Sequence, residues 1–187
     1  MGNAKAMEPS EVFEITITLL ETEPKIWRRV LVKANTNLAD LHRIIQIAMG
    51  WDNYHMHQFK IGGEYYGIPD KDFDYEVKNE CKTTIVDLYA REKRKFVYEY
   101  DFGDSWYHEI KIKKCRAPEK GMKYPTCLEG EKTAPPEDCG GIPGFYGMLE
   151  TLSNPKDPEY ARIKEWMGNY NPDRFDKDAI NKRLARA

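Results

Sequence analysis

Phe96 to Lys113, FVYEYDFGDSWYHEIKIK, is the stretch whose reading decides the fold. In its first half Phe96, Tyr98 and Tyr100 alternate with Val97, Glu99 and Asp101. In its second half Trp106, His108, Ile110 and Ile112 alternate with Tyr107, Glu109, Lys111 and Lys113. A period of two marks extended chain, so the stretch is predicted to be a β-hairpin. Directly opposed residues share a face, and matching the aromatic row to the Trp106/Ile110 row needs an odd number of loop residues. A two-residue Gly103-Asp104 turn is therefore disfavoured. A three-residue loop, Gly103 to Ser105, sets Glu99 against Glu109 as a like-charge pair; a five-residue loop, Asp101 to Ser105, avoids it and is preferred. That loop collects Asp101, Asp104 and Ser105, with inward-facing His108 two residues past Trp106. Loops on rigid hairpins often carry sites, although Asp, Ser and Gly are also ordinary turn formers.

Outward from the hairpin, the same periodicities place the other elements. Val12 to Leu20 reads as a strand with Phe13, Ile15, Ile17 and Leu19 on its buried face, and Ile26 to Lys33 as a second. In the second, Arg28 and Arg29 throw the apolar row out of phase, for which a bulge there is the expected repair. Asn37 and Asp40 open a helix in which Leu38, Leu41, Ile44, Ile45, Ala48 and Met49 recur at helical spacing before Gly50 closes it. His42, Arg43 and Gln46 are assigned to its solvated face. Tyr54 to Ile61 alternates as a strand, with His55, His57, Phe59 and Ile61 on one face, and Gly62-Gly63 turns the chain into Glu64-Tyr65-Tyr66. Asp70, Asp72, Asp74 and Glu76 imitate a calcium loop, but Tyr75 and Cys81 stand where Gly and the closing Glu belong, so calcium is rejected. Thr84 with Asp87 caps a short helical turn over Ile85 to Tyr89. From Cys115 to about Gly144 the chain is rich in Pro and Gly without a period, so a long ordered loop is expected. Three helices follow: one with Pro143 in its first turn, one starting at Asp157-Pro158 and stopping at Gly168, and one capped by Asp176, with Phe175 and Ile180 as a hydrophobic staple.

The predicted architecture is α+β: a β-grasp-like ββαββ core with a further β-hairpin and C-terminal helices. Residues 1–10 read as a flexible tail and 11–187 as one domain, an ordinary size with room for a substantial core. With 29 Lys plus Arg against 31 Asp plus Glu, the net charge of -2 gives no general attraction to nucleic acid or acidic membrane. No apolar run approaches the roughly 18 residues of a spanning helix, and MGNAKAMEPSE lacks the apolar core of a signal peptide. A cytoplasmic location follows as the expectation. Cys81, Cys115, Cys127 and Cys139 contain no C-x-x-C pair and are expected to be thiols.

The segments PKIWRRVLV (24–32), LADLHRIIQIAMGWDNYHMHQF (38–59), YEYDFGDSWYHEI (98–110) and YPTCLEGEKTAPPEDCGGIPGF (124–145) together resemble the plasmid pRiA4b open-reading-frame-three-like family. That family has no established activity and is often encoded near mobile elements. The resemblance covers most of residues 12 to 185 and implies an α+β fold close to the β-grasp. Similar proteins commonly carry a Cys just before the Pro-Pro pair, where this chain has Ala134. Some relatives are labelled resolvases, yet Ser10, Ser105 and Ser153 are the only serines. None lies amid arginines as that chemistry requires, and the C-terminal helices mix acids and bases, so recombinase chemistry is discarded.

Among chemistry-bearing side chains, His55, His57 and His108 with Asp101 or Asp104 form one candidate: three imidazoles and a carboxylate converging at one end of the sheet on a divalent metal. The same histidines also read as hydrogen-bonded core residues orienting the neighbouring turns. Cys127 and Cys139, with Cys115 or Cys81 as third partner, are the alternative structural zinc set. Asp101, Asp104 and His108 are the candidate catalytic residues. Lys111, Lys113, Lys114 and Arg116 mark a small outward basic face, and Gly140-Gly141 before Pro143 a helix start able to hold an anion. No phosphate loop, nucleotide fingerprint or nucleophile-base pair is present. The expected function is a non-enzymatic binding or accessory module, with a protein as the partner class left open. No cofactor is expected. The alternative is a metal-dependent hydrolase using the His/Asp site.

Overall fold

The hairpin forms with the preferred five-residue loop, Asp101 to Ser105. In the computed structural model, which describes residues 11–70 and 76–186, β6 (Lys95–Tyr100) and β7 (Trp106–Arg116) pair antiparallel. Tyr100 lies opposite Trp106, Tyr98 opposite His108 and Phe96 opposite Ile110. Asp101 and Ser105 take positive φ of 59° and 55°, and the Ser105 amide donates to the Asp101 carbonyl at 2.6 Å to close the loop.

Around this hairpin stand β1 (Val12–Leu19), β2 (Ile26–Lys33), β3 (His57–Ile61), β4 (Glu64–Gly67), β5 (Val77–Asn79) and β8 (Thr126–Glu131). They form one 8-stranded sheet in the order β5-β4-β3-β6-β7-β1-β2-β8, antiparallel except for the β4–β5 pair. The helices are α1 (Leu38–Met49), α2 (Ile85–Ala90), α3 (Gly141–Ser153), α4 (Tyr160–Met167) and α5 (Lys177–Leu184). The fold is thus mixed α+β. The ββαββ order is present along the chain as β1-β2-α1-β3-β4, but in the sheet β6 and β7 separate the two hairpins. The β1-β2 and β3-β4 hairpins are therefore not neighbours in the sheet. Residues 1–10, and the Asp72 and Asp74 of the rejected calcium loop, lie outside the described residues.

Local chemistry explains the elements that were legible. Asn37 accepts from the Asp40 amide at 2.8 Å and Gly50 ends α1 at φ 89°, a left-handed conformation that only glycine adopts without cost. Leu38, Leu41, Ile44 and Ile45 are buried, each contributing about 1.5–3 kcal/mol. The Thr84–Asp87 capping box opens α2, and Asp176 caps α5 by accepting from the Ala179 amide at 2.9 Å. α5 lies against β8 and α1, at the edge of the sheet.

Four expectations are corrected. β3 begins at His57 rather than Tyr54, so strand alternation does not set the direction of His55. The apolar row of β2 is not broken: Arg28 takes its inward place between Ile26 and Val30, and the irregularity sits on the β8 side of the pairing. Its guanidinium is buried, donating to the carbonyls of Trp27 (2.7 Å), Glu131 (2.8 Å) and Ala48 (2.9 Å) and facing the Phe175 ring. The long loop after β7 contains a strand, β8, in which the register shift against β2 puts Cys127 opposite Val30 and Gly130 opposite Arg28, so its inward places are three residues apart and no period of two appears. Finally, His42 and Gln46 of α1 are buried, leaving Arg43 as the exposed member of that trio.

Candidate functional site

The sheet pairings build one continuous inward row: Tyr66, Phe59, Tyr98, His108, Leu19 and Ile26 stand side by side on successive strands. His108 is at its centre and fully buried. Its Nδ1–H donates to the Trp106 carbonyl at 3.0 Å, and burial pushes its pKa down to about 3. It is a neutral core residue, out of reach of any ligand in solvent.

One residue row away, His57 lies opposite Tyr100, and its ring meets an imidazole that the sequence reading had put in solvent. His42 stacks on His57 with ring centroids 3.4 Å apart and planes 3° from parallel. The contacts of His42 fix its tautomer. Asn53 Oδ1 accepts from Nε2–H at 2.7 Å, so Nδ1 is the acceptor from the Tyr98 hydroxyl, also at 2.7 Å, while Gln46 donates to that hydroxyl at 3.0 Å. Burial, and then the neighbouring His57, push the His42 pKa down to about 3, and burial raises that of Tyr98 well above its ordinary value. His57 Nε2 meets Glu80 Oε2 at 2.8 Å, with both side chains almost completely covered. These rings floor a cavity of about 450 Å³, walled also by Asn53, His55, Asp70 and Glu80 and rimmed by Tyr54, Met56 and Ile68.

At one margin of this cavity a second constellation forms from three loops. His55 Nε2 lies 3.0 Å from Asp138 Oδ1 and 3.6 Å from Asp101 Oδ2. Among the described residues this is the one group of three or more His, Cys, Asp or Glu whose ligand atoms all lie within 4.8 Å of one another. The loops are stitched together at several points. Tyr54 and His55 amides donate to the Tyr100 hydroxyl at 3.0 and 3.3 Å, and that hydroxyl donates to Glu137. Glu137 also accepts from the Asp52 amide at 2.7 Å, and Trp51 Nε1–H donates to the Pro135 carbonyl at 2.8 Å.

The candidate residues from the sequence therefore divide. His55 and Asp101 come together; His57 turns to Glu80 and His42, and His108 to the Trp106 carbonyl. Asp104 accepts from the Gly140 amide at 3.1 Å, placing a carboxylate at the start of α3 where an anion from solution would otherwise sit. Cys127 and Cys139 are buried thiols outside any three-ligand group among the described residues. Burial raises the Cys127 pKa and pushes that of Cys139 up to about 12, which opposes the thiolate a zinc ion needs. Cys81 is exposed, and the Cys115 side chain lies outside the described residues. On the basic face, Lys111 is paired with Glu109, and Arg116 with Glu119 at 3.2 Å.

His42 and Gln46 do carry a sequence signal for burial: counted from Leu38, they fall at the i+4 and i+8 positions of the same helical stripe. Asp138 had none, since only the folded loop brings it to His55. No helix among the described residues is long and apolar enough to cross a membrane.

Comparison with known proteins places this arrangement among relatives without assigned roles. An uncharacterized protein, y4hQ, of Sinorhizobium fredii (strain NBRC 101917 / NGR234) is 34% identical over 173 residues, 92% of this chain and 87% of that protein. The crystal structure of a protein of unknown function, MM3350, from Methanosarcina mazei Go1 superposes with a TM-score of 0.83 at 32% identity, covering 89% of this chain and 96% of that one. The family model for plasmid pRiA4b ORF-3-like proteins matches residues 11–179. On this evidence the chain belongs to the plasmid pRiA4b ORF-3-like family.

Proposed function

We propose that the protein is a cytoplasmic, non-enzymatic binding module that takes a segment of a protein partner in the cavity floored by His42 and His57. One observation carries the reading. Five large hydrophobic side chains are exposed among the described residues, and three of them, Tyr54, Met56 and Ile68, rim this single cavity. Clustered exposed apolar side chains around a polar floor mark interaction surfaces, because water leaves the apolar rim on contact while the floor fixes orientation. The floor supports recognition rather than proton transfer, since both nitrogens of His42 are already engaged and burial keeps it neutral. The scaffold, with an element order like that of a β-grasp, and the free thiols fit an intracellular adaptor.

The test is site-specific photocrosslinking from position 56 in cell extract, with position 166 as control, because Trp166 is exposed and does not line this cavity. The expected result is a discrete adduct from position 56 alone. Excess wild-type protein should compete it away, and a Tyr54→Ser/Met56→Ser/Ile68→Ser variant should not. Equal labelling from both positions, or competition by the triple variant, overturns the reading. A second reading, metal-dependent hydrolysis, is favoured by the His55, Asp101 and Asp138 group at the cavity margin. Turnover of a hydrolase substrate that vanishes in Asp138→Asn would put it first.

A further inference from the structure

We propose that His55, Asp101 and Asp138 form a binding site for one divalent transition-metal cation of the zinc and manganese type. The proposal stands whether or not the neighbouring cavity takes a partner. Its geometry is that of a ligand set already gathered. Metal–nitrogen and metal–oxygen bonds of ~2.0–2.2 Å around a tetrahedral ion put neighbouring donor atoms ~3.3–3.5 Å apart. The observed separations from His55 Nε2 are 3.0 Å to Asp138 and 3.6 Å to Asp101, on either side of that value.

The electrostatics favour positive charge between these side chains. Two carboxylates converge on one ring nitrogen, and His55 Nε2 is an atom withdrawn from solvent that makes no well-directed hydrogen bond to either of them. Asp101 is itself 8% exposed, and its Oδ1 is engaged by the Gly103 amide at 2.9 Å, which leaves Oδ2 turned to His55. A buried carboxylate without a cationic partner is expensive, and a shared divalent ion neutralises both acids at once.

The surroundings hold the donors in place. Asp138 lies between Glu137, fastened to the Tyr100 hydroxyl and the Asp52 amide, and the Gly140 amide, fastened to Asp104. Supporting hydrogen bonds of this kind set ligand orientation in metal sites. One imidazole and two carboxylates suit zinc, manganese or ferrous iron; three donors are too few for calcium, and no thiolate is present to favour soft ions. Three protein ligands leave a position for water, on the side where Asp138 is open to solvent.

The test uses the full chain, purified without a His tag, stripped with chelator and titrated with zinc chloride by calorimetry. Manganese binding, read by electron paramagnetic resonance, is the second measurement. About one equivalent is expected, with affinity at least about tenfold weaker in both Asp138→Asn and His55→Gln. It should be retained in Asp173→Asn, another exposed acid, paired with Lys132. Asp138 is 67% exposed at its side chain, so its variant keeps the fold and decides the matter if His55→Gln does not fold. Less than about a tenth of an equivalent in the wild type, or an equivalent that survives Asp138→Asn, overturns the assignment. Loss in Asp173→Asn as well would show diffuse surface binding and overturns it too.

Discussion

His42 lies flat on His57, two imidazoles in face contact, with the Tyr98 hydroxyl on one nitrogen of His42 and the Asn53 carbonyl oxygen on the other. A proton added to Nδ1 would replace the acceptor that Tyr98 needs, inside a site where burial already disfavours charge. Long-range nitrogen–proton NMR is therefore expected to show His42 as the neutral Nε2–H tautomer from about pH 8 down to about pH 5. Titration of His42 near the ordinary histidine value of ~6.5 would refute this.

His108 makes the fold sensitive to acid. Folded, it is neutral, with its pKa pushed down to about 3; unfolded, it regains the ordinary value of ~6.5. Between those values the unfolded chain binds the extra proton, so the contribution is complete above about pH 6.5 and is lost as pH falls toward 3. At about pH 5 the loss attributable to His108 is about 2 kcal/mol relative to pH 8. His108→Gln lowers stability at every pH, but should shrink the difference between those two conditions by about that amount in urea titrations. An unchanged difference would assign the acid limb to other groups.

Arg28 is a charged side chain committed to the core. It is 3% exposed, its pKa is lowered to about 10 by burial, and it serves the carbonyls of Ala48, Trp27 and Glu131. Arg28→Met removes donors to acceptors at the end of α1 and on β8, and should cost at least about 3 kcal/mol. The urea midpoint should fall with little change in slope. A loss below about 1 kcal/mol would mean that water replaces the guanidinium without penalty.

Gly141 is required where α3 meets the hairpin loop. Its φ is +66°, and an added Cβ would lie 2.6 Å from the Asp104 carbonyl oxygen, which is backbone and has little freedom to retreat. Gly141→Ala should lower stability by about 2 kcal/mol, seen as a fall in Tm of roughly 4–8 °C for a chain of this size. Asp104→Ala, which strips the carboxylate from the start of α3, should cost about 1 kcal/mol.

How much of this was readable from residues depends on how local each signal is. The hairpin loop length followed from parity and one like-charge pair, α1 from its caps and stripe, and the Gly62-Gly63 turn from two adjacent glycines, which take positive φ of 59° and 88°. Each is settled within a few neighbours. β8 escaped because its bulge against β2 puts the inward places at Cys127 and Gly130, three residues apart and one without a side chain, so no period of two is there to be read. His55 was misdirected by extending β3 backwards over residues that the Tyr100 hydroxyl holds out of the ladder. Asp138 reaches His55 only through the paired contacts of Glu137 and Asp104, and no spacing in the chain encodes that meeting.

The insertion of β6 and β7 between the two ββ units has a consequence for synthesis on the ribosome. β1 pairs with β7 from Val12 opposite Arg116 to Leu19 opposite His108, so its inner edge stays open until the hairpin has emerged. Until then the row of amides and carbonyls on β1 that β7 satisfies has no partner strand, beside the inward Phe13, Ile15 and Ile17, and an open edge of that kind recruits other strands. The late hairpin acts as a keystone: its arrival joins two half-sheets and withdraws that edge from every competing chain.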